Sequence, residues 1–253
     1  MKNFLFVLII ILTPFFLRAE EEVNIDSLII ILKAEQQDAL NKGSHQQFKE
    51  IGAKLERLST FGEKGWLTSY YLSYNYYRMS NLTENKEERE KYVEAAKKTI
   101  EKSIESKGDF SESHALYSSI LGLGIGLKPY LGMKNGMKSG NEIAKAYELE
   151  PNNPRIYLID GISVLYTPKV FGGGGNKALA KFNKAVELYK EEKRDRGIYP
   201  DWGRDNVFIW LGKVYEKKGE KEKTIRFYKK ALEVNPNNGW AKKLLFNGDT
   251  LLN

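Results

Sequence analysis

Four consecutive glycines, at positions 172–175 in the segment FGGGGNKALAKF, stand directly before a stretch that reads as a helix. Glycine-rich loops at helix N-termini can bind phosphate, because their backbone N–H groups point toward the anion. A phosphate-binding loop of the Walker type, however, follows a strand and ends in Gly-Lys-Ser/Thr, and a dinucleotide-binding fingerprint also follows a strand. Neither context is present here. The favoured interpretation is a chain turn that starts the next helix, and an anion bound at that helix N-terminus is the alternative.

Other residue types that could carry chemistry are scarce. Cysteine is absent, and the two histidines, His45 and His114, are far apart in the sequence. This composition excludes disulfides, thiolate metal sites and the lipid-bearing cysteine of a bacterial lipoprotein, and it makes a histidine metal site unfavourable. No G-x-S-x-G elbow occurs, and the paired carboxylates lie in lysine-rich runs typical of exposed helices. We therefore expect no catalytic residue, no metal site and no cofactor, and hence a protein that is not an enzyme.

The charge pattern argues against nucleic acid as a partner. The 253-residue chain has 40 basic and 33 acidic residues and a net charge of +7. Most lysines lie in mixed runs such as KEEREKY and EKKGEKEK, in which charges alternate as on a solvated helix face. A nucleic-acid surface requires clustered basic residues with interleaved aromatics. We expect no nucleic-acid binding.

The first residues resemble a secretory signal peptide. A basic start is followed by an apolar run over residues 4–17, which is shorter than the roughly 20 residues of a spanning helix, and Ala19 offers a small residue for cleavage. We therefore predict a signal peptide at 1–19, a mature chain without a transmembrane segment, and a periplasmic or secreted location. An uncleaved anchor is the alternative. Cleavage would remove two basic residues and leave a net charge of +5.

From residue 24 onward the sequence consists of helix-length segments with apolar residues at 3.6-residue spacing, and no convincing strand pattern occurs. The clearest unit spans residues 205–238 and is 34 residues long, a period typical of helical hairpin repeats. Within it, Gly212 allows close approach of a second helix, Gly219 makes the turn, and Pro236 ends the second helix. The remaining landmarks are Phe208, Leu211, Tyr215, Thr224, Tyr228 and Ala231.

These residues closely resemble a tetratricopeptide repeat, with Thr224 standing where the family usually has Ala. Two central units, about 115–153 and 154–204, match each other when slid by 39 residues, so that Gly122 falls on Gly161. They carry five extra residues, which we expect to enlarge the loops at 127–136 and 166–175. Degenerate hairpins are predicted at 24–60 and 63–108, the latter with a polar linker at 81–88. The predicted fold is all-α: one right-handed solenoid of about eleven helices over residues 20–253.

The resemblance implies a concave groove, lined by the first helix of each hairpin, that binds a protein or peptide. By register with the family, and from the conspicuous aromatic residues of the loop at 190–205, the candidate partner-binding residues are Tyr71, Tyr74, Ile120, Leu123, Leu158, Ile162, Tyr166, Trp202, Asn206 and Trp210. This lining is unusually apolar for a solvated groove. Either the enlarged loops and the N-terminal hairpin fill it, or it accepts an apolar side chain, a partner helix or an apolar ligand.

Two further alternatives concern the same groove. Trp202 is either packed beside the following helix or an aromatic anchor on a binding rim. The Pro-then-glycine insertion is also similar to the helical T-component of some tripartite (TRAP) transporters, which implies an apolar-ligand-binding accessory role. The predicted function is a non-catalytic protein-interaction scaffold in the bacterial periplasm, with this transporter role as the alternative.

Overall fold

In the computed structural model, which describes residues 24–60 and 62–249, eleven α-helices follow one another and no strand occurs. The all-helical prediction is confirmed for this part of the chain. The helices are α1 Ile25–Lys42, α2 His45–Leu58, α3 Gly65–Leu82, α4 Lys86–Ser106, α5 Ser111–Leu127, α6 Gly132–Leu149, α7 Pro154–Tyr166, α8 Gly175–Glu191, α9 Asn206–Lys217, α10 Lys221–Val234 and α11 Gly239–Asp249. The predicted signal peptide at 1–19 lies outside the described residues.

Short polar side chains start many of these helices. Asn24, Ser44, Asn85 and Asn153 each accept a hydrogen bond from a backbone N–H of the first turn, which satisfies a donor that has no partner within the helix. Gly219 follows α9 with a φ of 74°, in the left-handed region that glycine adopts without strain. Local sequence therefore fixes where the hairpins turn.

Successive helices pair as antiparallel hairpins, α3 with α4, α5 with α6, α7 with α8 and α9 with α10, and the first helices α3, α5, α7 and α9 also contact one another in sequence. Small residues mark the crossings, since Ala96, Ala146, Ala185 and Ala231 are fully buried. At Gly212 an added Cβ would collide with the ring of Tyr228, and at Gly161 it would lie 2.5 Å from the ring of Phe182. The stack of hairpins is the predicted α-solenoid.

In the second enlarged hairpin, residues 167–174 connect α7 to α8, close to the predicted loop at 166–175, whereas the first enlarged hairpin differs from the prediction. Helices α5 and α6 have 17 and 18 residues, against 12 and 14 for α9 and α10. A 3₁₀ turn at Pro129–Leu131 joins α5 directly to α6, so in this hairpin the insertion lengthens the helices and forms no long loop. Likewise, the predicted linker at 81–88 is a three-residue turn, because α3 extends to Leu82 and α4 begins at Lys86.

The four glycines form a chain turn, as favoured from the sequence. A 3₁₀ turn at Lys169–Phe171 ends at Gly172, which has a φ of 88°, and Gly174 has a φ of 127°. A side chain at Gly173 would collide with the backbone of Thr167. Glycine is required here by backbone conformation and close approach.

The first helix reaches the last hairpin. Helix α1 contacts α11, and Asn235 at the end of α10 donates a hydrogen bond of 2.9 Å to Asn41. The two ends of the described solenoid therefore meet, and α1 lies across one side of the groove.

Candidate binding groove

The structure places the ten predicted groove residues at three levels of exposure. Tyr71, Tyr74, Ile120, Leu158 and Asn206 are buried, whereas Leu123, Ile162, Trp202 and Trp210 are half-buried and Tyr166 is exposed. Most of them gather in two apolar clusters that share Trp202. Tyr166 belongs to neither cluster. Its ring contacts Trp210 edge-on, with ring centroids 6.0 Å apart. In this conformation the five buried residues are not accessible to a partner.

The groove is filled by residues 192–205, here called the groove loop. Within it, Trp202 stacks on Tyr74 with ring centroids 5.2 Å apart and donates a hydrogen bond of 3.0 Å to the hydroxyl of Tyr70. The hydroxyl of Tyr71 donates to the backbone carbonyl of Ile198 at 2.6 Å. The loop thus satisfies polar groups of the groove wall while covering its apolar surface.

One of the two alternatives placed the loops at 127–136 and 166–175 in the groove, and they do not fill it. Those turns lie at the ends of their hairpins, and Tyr130 and Phe171 within them are exposed. The N-terminal hairpin does contribute, since Lys33 of α1 bonds the carbonyls of Gly197 and Tyr199 at 2.6 and 2.9 Å and the carboxylate of Asp201 at 2.8 Å. Of the two interpretations of Trp202, the packed one describes this conformation.

A buried network of charges anchors the groove loop to the helices, and sequence reasoning missed it. Glu112 of α5 accepts hydrogen bonds from Arg155 of α7 at 2.9 Å and from Arg196 of the loop at 2.7 Å. Arg155 also bonds Glu192, which in turn contacts Arg204 at 3.3 Å. Burial alone would lower the pKa of Arg155, but the charges of Glu112 and Glu192 outweigh it and hold that pKa well above its usual value.

This network is structural in character. Glu112 and Arg155 are almost fully buried, and the Glu112 carboxylate accepts hydrogen bonds from four side chains, those of Tyr70, Asn153, Arg155 and Arg196. The buried charge is thus paired and hydrogen-bonded within the fold. The only signal in the sequence was the unusual length and composition of the segment at 190–205. The pairing of Arg196 with Glu112 could not be predicted, because the two residues are 84 positions apart in the sequence.

The tyrosines of the groove wall likewise act as hydrogen-bonding groups. Burial raises the pKa of Tyr74 to about 12, and it raises the pKa values of Tyr70 and Tyr71 well above their usual value. These phenols are therefore protonated at neutral pH, and the hydroxyls of Tyr70 and Tyr71 donate hydrogen bonds to the Glu112 carboxylate and the Ile198 carbonyl. Within residues 24–60 and 62–249, no three His, Cys, Asp or Glu side chains are arranged to hold a metal ion.

One open cleft borders the groove loop. It has a volume of about 440 Å³ and lies between α1, the loop and the end of α10. Its lining residues are Ile30, Lys33, Ala34, Gln37, Arg194, Asp195, Gly197, Asp201, Trp202, Gly203, Arg204, Asp205, Val234 and Asn235. None of the helices in the described ranges is long and apolar enough to cross a bilayer.

Comparison with known proteins agrees with this architecture. Residues 206–238 match the model of the tetratricopeptide repeat family. No curated protein matches the sequence. The resemblance to the transporter T-component stays a prediction.

Two solved structures are similar over most of the chain. The HusA haemophore from Porphyromonas gingivalis is 26% identical with a TM-score of 0.63, covering 76% of this chain and 92% of its own. A thermophilic tetratricopeptide repeat protein of Thermus thermophilus is 14% identical with a TM-score of 0.62, covering 88% of this chain and 98% of its own. Residues 206–238 therefore form one tetratricopeptide repeat, and the described solenoid is similar in fold to tetratricopeptide repeat proteins.

Proposed function

We propose that this chain is a non-catalytic binding protein of the bacterial cell envelope, which holds a peptide segment of a partner protein in the cleft beside the groove loop. The observation that carries the proposal is that one part of the concave face is filled and another part is open. Residues 192–205 occupy its middle, whereas the cleft of about 440 Å³ stays open between α1 and α10. That volume lies within the range of about 300–1,000 Å³ typical of small binding sites.

The chemistry of the cleft suits a peptide better than a purely apolar molecule. Gln37 and Asn235 offer amide donors and acceptors, Arg194 and Asp195 offer charges of both signs, and Trp202 forms part of the wall. An extended peptide carries a donor and an acceptor at nearly every residue, which such a lining can pair. Tetratricopeptide repeat proteins typically bind protein or peptide partners, and the proposal assigns that role to this cleft.

Site-specific cross-linking tests this assignment. A photo-cross-linking amino acid replaces Ala34, which is exposed on α1 at the cleft, and in a matched variant it replaces Lys98, which is exposed on α4 away from it. We expect the residue at 34 to capture a defined partner in envelope preparations and the residue at 98 not to. Capture of the same set at both positions, or of no protein at 34, would overturn the assignment.

The proposed location rests on the N-terminal sequence. The apolar run at 4–17 followed by Ala19 is typical of a cleavable export signal. Cell fractionation and mass spectrometry of the purified protein test it: we expect a periplasmic protein that begins at residue 20. A protein that retains residue 1 and sediments with membranes would favour the uncleaved anchor.

A second candidate function is the carriage of an apolar ligand of the porphyrin type. It is supported by the similarity to the HusA haemophore, which extends over 92% of that chain at 26% identity. Titration with haemin, followed by its absorption spectrum, tests this candidate. A saturable spectral shift at one equivalent would favour a ligand carrier, and an unchanged spectrum would exclude it.

A further inference from the structure

Two helix turns present large apolar side chains almost completely to solvent. Tyr130 and Met133, at the turn between α5 and α6, are 80% and 82% exposed. Val170 and Phe171, at the turn between α7 and α8, are 83% and 77% exposed. Single exposed apolar residues are ordinary, but a group of this size at related positions indicates a surface that contacts something. We call residues 128–138 and 167–178 the apolar tips.

The two tips lie on the same edge of the solenoid. Each joins the first helix of a hairpin to its second, and the first helices α5 and α7 pack against each other. Each tip also contains a 3₁₀ turn, which begins at Pro129 in one and directly follows Pro168 in the other. Because the hairpins are stacked in the same direction, their turns project together.

Within the two tips themselves, every charged residue is basic. Residues 128–138 contain three lysines and residues 167–178 contain two, and neither segment contains an acidic residue. Lys218 joins the second tip by a hydrogen bond of 2.8 Å to Asn176, and Lys217 lies 4.3 Å from the ring of Tyr166. Glu90 and Glu101, on the neighbouring helix, contact Lys128 and Lys138. Lys134 and Lys169 are exposed.

We propose that the apolar tips dock the protein onto a bilayer surface containing anionic lipids. Tyr130, Met133, Val170 and Phe171 enter the boundary between headgroups and acyl chains, and the lysines beside them bind lipid phosphates. Burial of apolar side chains and attraction of neighbouring lysines to anionic lipids are the two contributions to interfacial membrane binding.

The composition of the tips favours a lipid surface over a protein partner. Protein interfaces are depleted in lysine at their centres, whereas here Lys134 follows Met133 directly and Lys169 precedes Val170. At a bilayer, by contrast, a lysine can extend its ammonium group to the headgroups while its methylene groups remain beside apolar neighbours. This proposal is independent of the peptide cleft, which lies beside α1.

Local fluorescence on the full chain tests the proposal. Because the sequence has no cysteine, Met133→Cys and Phe171→Cys each provide a single site for a polarity-sensitive dye. Ile31→Cys, at an exposed position of α1, is the matched control. Vesicles of phosphatidylcholine with phosphatidylglycerol are compared with vesicles of phosphatidylcholine alone.

We expect the dyes at 133 and 171 to shift to shorter emission wavelengths with the anionic vesicles, and the dye at 31 to stay unchanged. Adding Lys134→Glu and Lys169→Glu together should abolish the shift, whereas Lys49→Glu with Lys98→Glu should preserve it. An absent shift at 133 and 171, an equal shift at 31, or an equal shift with neutral vesicles would overturn the proposal. A shift that depends on protein concentration without vesicles would identify a second copy of this chain as the occupant and would equally overturn it.

Discussion

Trp202 and Tyr74 stack face to face with ring centroids 5.2 Å apart, which joins the groove loop to a helix more than a hundred residues earlier in the chain. The indole also packs against three of the four apolar clusters of the described solenoid. A residue outside the helices thus links the N-terminal, central and C-terminal hairpins. The concave face, which in an open solenoid is solvated, is here part of the folding core.

Replacement of Trp202 should therefore destabilise the whole protein. Trp202→Ala removes the stack on Tyr74 and the hydrogen bond to Tyr70, and we expect a loss of about 3 kcal/mol in the free energy of unfolding. Trp202→Phe retains an aromatic ring and loses the hydrogen bond, so we expect a loss of about 1 kcal/mol. Urea unfolding followed by circular dichroism measures both. Equal losses in the two variants would contradict a role for the stack.

The buried carboxylate of Glu112 should be equally important. Glu112→Gln keeps the shape but removes the more deeply buried of the two carboxylates, Glu112 and Glu192, that both Arg155 and Arg196 contact. Removing one partner of a buried ion pair costs about 3 kcal/mol or more. Glu105→Gln, at an exposed position of α4, should change the free energy of unfolding by less than about 0.5 kcal/mol. Similar unfolding midpoints for the two variants would show that the network does not contribute.

Local signals in the sequence were sufficient to predict the helices. Contacts between residues distant in sequence could not be predicted. The 3.6-residue spacing of apolar residues predicts each helix, and helix-terminating or capping residues such as Gly43, Asn153 and Gly219 act only on their neighbours in sequence. The order of the helices and most of their boundaries could therefore be predicted. The groove loop could not be placed, because its position depends on Lys33, Tyr71 and Glu112, which lie far away in sequence. Register with the family therefore did not predict that five of the ten candidate residues are buried.

Gly122 and Gly161 coincide when the two central units are slid by 39 residues, but the side chains that surround them differ. An added Cβ at Gly161 would lie 2.5 Å from the ring of Phe182, whereas at Gly122 nothing lies within 4 Å. Gly161→Ala should therefore destabilise the protein by about 1–3 kcal/mol through overpacking. Gly122→Ala should stabilise it by roughly 0.5–1 kcal/mol, because alanine restricts the unfolded chain more and favours the helix. Thermal unfolding of the two variants should give shifts of opposite sign, and shifts of the same sign would contradict the packing argument.

The imidazole of His114 should make stability depend on pH. Burial disfavours its charged form, but hydrogen bonds to the Glu142 carboxylate at 2.7 Å and the Gly108 carbonyl at 3.0 Å outweigh this and raise the pKa of His114. A raised pKa in the folded state stabilises the protein fully below the unfolded value of about 6.5. That stabilisation is lost as the pH rises through the folded pKa.

Urea unfolding at a series of pH values checks this prediction. The difference in the free energy of unfolding between the wild type and His114→Gln should be largest in mild acid and should shrink as the pH rises above about 6.5. Glu142→Gln should reduce the pH dependence, because it removes the carboxylate that favours the imidazolium. A difference that grows with pH would show that the pKa shift has the opposite sign.

The ammonium group of Lys33 should control how often the groove loop opens. It bonds two loop carbonyls and the carboxylate of Asp201, and it reaches them from α1, far from the loop in sequence. Lys33→Met keeps much of the aliphatic length of the side chain and removes all three bonds, so we expect faster tryptic cleavage after Arg194, which is exposed in the loop. Lys49→Met, on the exposed face of α2, removes one lysine equally and should leave that rate unchanged. Mass spectrometry of timed digests distinguishes cleavage after Arg194 from cleavage elsewhere, and equal rates in the two variants would show that α1 does not hold the loop.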